Sequence, residues 1–394
     1  MPRVPRRPSA TAAGHFLFWK PGVKRKIEIG LLYARSGSYR LIAEACRSGA
    51  LRAISEVNAD PQAPVELTAV ERDPGGNIDR YAPLCEEILR SSSARHVVGC
   101  VTSWSRKETI PVLEKAGATL WYACPYEGFE ANEHVVYMHA CPNQHLVPLL
   151  AHVVPRHGPN GFLLGSNYIW GWETNRVARD LIDDAGGKVL GERYLPIGET
   201  GIGRLIDEIR STRPDFVLNN LIGTTSYAFI DAYAALGRND PHFRPERCPL
   251  LSCNLTECEL PAIGEAGRGH LSAGPFFGQA SPGDGHAPAW SPGNSFEASA
   301  YASIKVLAKV LSIDPNASFA DLPAIFAANS FDTPFGPTSI DPRTQHATLP
   351  VEIGRIAGTG FERVSRVDRV SPDPYLSRYD QTETFGRPRL KVVS

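Results

Sequence analysis

From residue 27 onward, short runs of β-branched and apolar residues alternate with amphipathic stretches, and this alternation restricts the chain to stacked βαβ units. Strands are expected over 27–33, 65–71, 96–101 and 119–122. Helices are expected over 39–59, 78–90 and 106–116. The second helix shows the spacing best, with Tyr81, Leu84, Cys85, Ile88 and Leu89 on one face. After Cys141 the alternation starts again: helix 145–156, strand 161–164, helix 173–185, strand 188–194, helix 205–211, strand 216–219 and helix 225–236. Two such series predict two parallel sheets in two lobes. At 394 residues the chain also exceeds the roughly 250–300 that one core supports. A Gly-, Pro- and Ser-rich region, 274–294, precedes a further helix over 296–311. From Ser371 onward the chain reads as packed coil or a trailing end.

Composition removes several function classes. Lys plus Arg number 41 against 42 Asp plus Glu, so the cationic excess of a direct nucleic-acid binder is missing. No stretch approaches the ~20 apolar residues of a membrane-spanning helix. The first 26 residues carry Arg3, Arg6 and Arg7 but only a short apolar cluster, Phe16 to Trp19, where an export signal needs roughly 7–15 apolar residues. A disordered leader on a cytoplasmic protein is the expectation. Cysteines 46, 85, 100, 124, 141, 248, 253 and 258 follow no metal-binding or disulfide spacing and are expected as reduced, mostly buried thiols.

No P-loop, zinc-protease, nucleophile-elbow or EF-hand motif is present, and neither cofactor nor metal is expected. The stretch GETGIG, 198–203, is out of register for a dinucleotide loop. In open α/β sheets, ligands sit where loops leave the carboxyl ends of strands. Four such places combine small polar and aromatic residues: Thr102–Ser103–Trp104–Ser105, Ala123–Cys124–Pro125–Tyr126, Asn167–Tyr168–Ile169–Trp170–Gly171–Trp172 and Gly223–Thr224–Thr225. Ser103 also suits a helix N-cap. Arg106 and Lys107 read as a solvated face, and His152 and His157 as surface residues. Cys124 lacks the His partner that a nucleophile requires.

Several segments resemble a known family. Asp73–Pro74–Gly75–Gly76–Asn77–Ile78–Asp79–Arg80–Tyr81, Val98–Gly99–Cys100, Ser105–Arg106–Lys107, Pro125–Tyr126–Glu127–Gly128–Phe129–Glu130 and Gly165–Ser166–Asn167–Tyr168–Ile169 are similar to the AmiC-type amide sensors of amidase operons. These belong to the amide and urea branch of the type I periplasmic-binding-protein superfamily. The similarity runs from about residue 27 to 376.

The resemblance implies an α/β fold of two Rossmann-like lobes with parallel sheets joined by three crossovers, near 141–144, 272–278 and 333–337. Lobe 1 would comprise 27–141 with 273–333, and lobe 2 142–272 with 334–376. The leader 1–26 and a tail, 377–394, would flank them. It further implies a small neutral amide-like ligand held by Val101, Ser103, Tyr122, Cys124, Pro125, Tyr168, Trp170 and Thr224. Val101 and Trp170 stand where the amide sensors carry tyrosine, and Cys124 where they carry threonine, so the ligand is expected to be less polar or larger than acetamide. The partner implied is an RNA-binding antiterminator, released on closure around inducer. The alternatives are an exported receptor feeding an ABC permease with amides, urea or branched-chain amino acids, an amide-cleaving enzyme using Cys124 or Ser103, and a scaffold with a vestigial cleft. A second copy of the chain is a further candidate partner.

Overall fold

The computed structural model describes residues 24–278 and 291–386. The expected leader lies outside them except for 24–26, and of these Arg25 and Lys26 already belong to the first strand. The expected tail is described only as far as Gly386.

Lobe 1 is built on five parallel strands, β1 (Arg25–Leu32), β2 (Val65–Arg72), β3 (His96–Gly99), β4 (Thr119–Tyr122) and β5 (Val135–Tyr137), in the order β2-β1-β3-β4-β5. Helices α1 (Arg40–Ala59), α2 (Tyr81–Ser91) and α3 (Ser103–Ala116) connect them. In α3 the side chain of Thr102 caps the first turn by accepting from Ser105 N–H, and Gly117 ends the helix at φ 61°. Ser103 is therefore the first helical residue and not the cap.

Lobe 2 follows with α4 (Leu146–His157), β6 (Gly161–Ser166), α5 (Ile169–Asp184), β7 (Val189–Leu195), α6 (Gly203–Thr212), β8 (Phe216–Asn220), α7 (Gly223–Asn239), β9 (Leu250–Ser252), α8 (Leu260–Ile263) and β10 (Leu271–Gly274). The chain then returns to lobe 1, where α9 (Ser295–Ile313) lies along α1 so closely that a Cβ on Gly49 would sit 2.1 Å from the Glu297 carbonyl oxygen. Next come α10 (Leu322–Ala328) and a hairpin of β11 (Phe331–Thr333) and β12 (Gly336–Thr338). Finally β13 (Leu349–Ala357) and β14 (Gly360–Val370) extend the second sheet antiparallel, giving β14-β13-β10-β9-β8-β6-β7. No helix among the described residues is long and apolar enough to cross a membrane.

The third crossover differs from expectation. Residues 334–347 stay with lobe 1, because Tyr137 N–H donates to the Gln345 carbonyl at 2.8 Å and Ala347 N–H to the Tyr137 carbonyl at 3.0 Å. The chain therefore crosses at 347–349, and 333–337 is the β11–β12 turn. Gln144 in the first crossover donates Nε2–H to the carbonyls of Ala347 (3.1 Å) and Val370 (2.8 Å), tying that passage to the third and to the end of β14. Residues 371–386 do not trail away: Tyr379 Oη–H and Gln381 Nε2–H bond Asp184 of α5, and α11 (Gln381–Phe385) closes the described chain.

The second crossover begins under the grip of two carboxylates. Glu352 accepts from Phe277 N–H and Glu257 from Gly278 N–H (2.7 Å). Glu352 is paired with Arg363 and Arg366, whereas Glu257 has no basic partner among the described residues. Burial, reinforced by Glu352, pushes the Glu257 carboxyl up to about 8 against the pull of two backbone N–H groups. The unfolded chain loses this proton near pH about 4.3. The folded chain keeps it, so this group lowers stability progressively between about pH 4.3 and pH 8 and by a constant amount above. Glu257→Gln should remove that slope: urea midpoints of variant and parent should agree near pH 4 and favour the variant at pH 8.5.

Candidate functional site

A narrow cavity of about 20 Å³ lies between the lobes, at the carboxyl ends of their parallel strands. The turn after β3 supplies Val101, Thr102 and Ser103, aided by Cys100, which adopts a left-handed φ of 65°. The turn after β4 supplies Cys124 and Pro125. Lobe 2 adds Tyr168 and Trp170 after β6, Ile222 after β8 and Asn254 after β9, while Ile42 and Phe296 close the lobe 1 side. The lining carries no ionised side chain.

Six of the eight residues expected from the sequence thus share one cavity: Val101, Ser103, Cys124, Pro125, Tyr168 and Trp170. Tyr122 and Thr224 do not line it. Tyr122 is wholly buried one layer behind, its hydroxyl donating to the Val101 carbonyl at 2.7 Å, which braces the wall. Thr224 is exposed on the first turn of α7; the chain presents Ile222 to the cavity, and Thr225 turns inward to bond Gly198 N–H. Trp172 is also outside, 47% exposed, since it lies two residues from Trp170 on a helix. Ile42, Ile222, Asn254 and Phe296 were not foreseen, while Thr102 lay in a strand-end loop singled out from the sequence but was not among the eight. Asn254 follows a three-residue strand too short to show in the sequence.

The larger surprise lies behind Ser103. Arg106 is not on a solvated face: its side chain is 0% exposed and ion-paired to Glu127 (2.9 Å) and Glu130 (2.8 Å). Its guanidinium lies 4.8 Å from the Tyr122 ring centre and 4.9 Å from that of Tyr126. Lys107 completes the set on Glu130 at 2.5 Å, and Tyr137 Oη–H donates to the same carboxylate at 2.7 Å. Burial opposes ionisation of Glu130, but Arg106 and these donors hold its carboxyl down at about 2. Ser103 Oγ–H donates to the remaining oxygen of Glu127. The motif Pro125 to Glu130 therefore works from behind the wall, with only Pro125 on the cavity itself.

Two residues lining this space carry donors without partners. Trp170 Nε1–H is buried and unbonded, and Asn254 uses its Oδ1 to accept from Ser252 Oγ–H (3.1 Å), which leaves its Nδ2 hydrogens free. Cys124 Sγ sits 3.8 Å from Cys46 Sγ, and burial pushes its thiol far above the ordinary range, the opposite of what a nucleophile needs. All eight cysteines are free thiols, and all but Cys258 are buried. No cluster of three metal-binding side chains occurs among the described residues.

The lobes touch across the cleft. Trp104 of α3 stacks on Tyr168 of lobe 2 (6.5 Å between centres, 18° between planes), and Arg176 of α5 covers Phe129 at 4.4 Å. A Cβ on Gly223 would meet the Ser38 carbonyl oxygen of lobe 1 at 2.0 Å.

Two sheets with a crevice between their carboxyl ends and three chain passages define a two-lobed small-molecule binding protein. Residues 27–381 match the family described as periplasmic binding protein domain, and the chain belongs to that family. Among solved structures it is similar to a solute-binding protein of an ABC transporter from R. palustris in complex with 4-hydroxybenzoate (TM-score 0.74, 19% identity, covering 88% of this chain and 98% of that one). It is also similar to an amino acid ABC transporter substrate-binding protein from Pseudomonas fluorescens (0.71, 16%, 89% and 97%). A third is the branched-chain amino acid transporter substrate-binding protein of Streptococcus pneumoniae in complex with isoleucine (0.70, 15%, 88% and 100%). These are binding proteins.

Two variants test the geometry. Arg106→Ala strands Glu127 without its cation and should lower unfolding free energy by about 3–5 kcal/mol in urea titrations. Gly223→Ala should keep the lobes apart: small-angle scattering should show an expanded molecule, and fold stability should drop only by the about 1–2 kcal/mol of an alanine held in the left-handed region.

Proposed function

We propose that the protein is a receptor that closes its lobes on one small, uncharged solute with a carbonyl head, of which short carboxamides are the leading class, and hands it to an ABC-type permease. The observation that carries this reading is the cavity wall: apolar and aromatic side chains from both lobes, no ionised group, and free N–H donors on Trp170 and Asn254. An α-amino acid would need a carboxylate for its ammonium, and Glu127 is engaged by Arg106 and Ser103. The aromatic acid and amino acid named for the R. palustris and Streptococcus pneumoniae proteins support a solute of similar size. A ligand touching both lobes binds the closed state more tightly and so shifts the equilibrium toward it. No covalent step is required of Cys124 or Ser103.

A second reading keeps the protein in the cytoplasm as an amide sensor that restrains an antiterminator. Its support is the Pro125 to Glu130 motif and the eight free thiols, including two sulfurs only 3.8 Å apart, which suit a reducing compartment. Location decides between them: a protein recovered in the periplasmic fraction serves transport, one retained in the cytoplasm serves regulation.

The shared core is tested by melting. A panel of isobutyramide, benzamide, urea, benzoate and isoleucine is expected to yield a stabilisation of about 2.7 kcal/mol at 100 times Kd for at least one amide. Ammonia release from the bound amide would sink the receptor reading in favour of an enzyme.

A further inference from the structure

We infer that Glu127, which never touches the ligand space, sets what the site accepts by fixing the direction of the Ser103 hydroxyl proton; this rests on the reading of the cavity as a site for carbonyl-headed solutes. A serine hydroxyl has one hydrogen to give. Here it goes to Glu127, whose other oxygen is pinned by Arg106 at 2.9 Å, with serine, carboxylate and guanidinium all buried. Facing the cavity, Ser103 Oγ is left with lone pairs only and accepts but cannot donate.

The opposite wall has the complementary character. Trp170 Nε1–H has no partner, and Asn254 offers Nδ2–H because its carbonyl oxygen is taken by Ser252. Lobe 1 thus accepts, and lobe 2 offers donors on Trp170 and Asn254 beside the Tyr168 hydroxyl, which can do either. A head group that gives a hydrogen on one side and takes one on the other satisfies both walls at closure, as a carboxamide does. The isosteric carboxylate brings acceptors to both sides, and its charge faces the Ser103 lone pairs with the Glu127 carboxylate behind them. An unmatched buried polar contact corresponds to about ten-fold or more in affinity. Glu127 is in this sense a positioning residue that excludes acids of the right shape.

The consequence is reversible by one atom. In Glu127→Gln, Arg106 retains the carbonyl oxygen, the new amide nitrogen faces Ser103 and donates to its oxygen, and the serine hydrogen turns into the cavity. Ser103 then becomes a donor.

The test is the affinity ratio of benzamide to benzoate, with isobutyramide and isobutyrate as a second pair, measured by calorimetry on the full chain. The parent should favour the amide. Glu127→Gln should reduce the ratio by about ten-fold or more. Ser103→Ala should weaken the amide by about ten-fold and leave the acid unchanged or more tightly bound, and Glu127→Gln in the Ser103→Ala background should change the ratio far less than it does in the parent. A merely structural role for Glu127 would weaken both ligands alike. Equal ratios in parent and Ser103→Ala overturn the inference even if Glu127→Gln does not fold. Failure of the parent to bind either amide overturns both this inference and the receptor reading beneath it.

Discussion

The site depends on a buried charge. Arg106 has given up all contact with water, and a guanidinium in that position is tolerable only because two carboxylates and two tyrosine faces surround it. That cluster fixes where α3 starts relative to the turn after β4, and the two segments together form the lobe 1 half of the cavity wall. The ligand surface itself can then be uncharged, since the electrostatic work of rigidifying it is done one layer deeper. Remote ion pairs of this kind give a site a fixed shape without imposing a charge on what it binds.

Closure is the other half of the design. Neither lobe alone makes a cavity, and the walls come from loops whose only common property is that they leave strands at the same end. Parallel sheets guarantee this arrangement, because every βα turn emerges on one edge. Chemistry distributed over several short loops becomes a single site when the two edges meet.

Much of this was legible in the sequence. The two alternating series show as period changes, and the loops after β3, β4 and β6 betray themselves by small polar and aromatic residues following apolar runs. The failures have physical reasons. Arg106 looked like a surface residue because its neighbours in sequence are polar, while the groups that neutralise it lie 21 and 24 residues on. Thr224 was two residues from the truth: Ile222, less conspicuous, lines the cavity. β9 and β10, of three and four residues, are too short to show a period. The third crossover was misplaced because Gln345 and His346, both polar by type, are buried as an extra edge of the first sheet, with His346 stacked 4.0 Å over Tyr137.

That last strip of chain has a bearing on biogenesis. Lobe 1 begins before lobe 2 in the chain, yet its sheet edge is completed by residues 345–347 and α9 packs closely along its α1. A chain emerging from the ribosome amino end first therefore leaves lobe 1 incomplete until most of lobe 2 has been synthesised. The domain that begins first is finished late, and truncation anywhere before Ala347 leaves unpaired hydrogen-bonding groups on Tyr137.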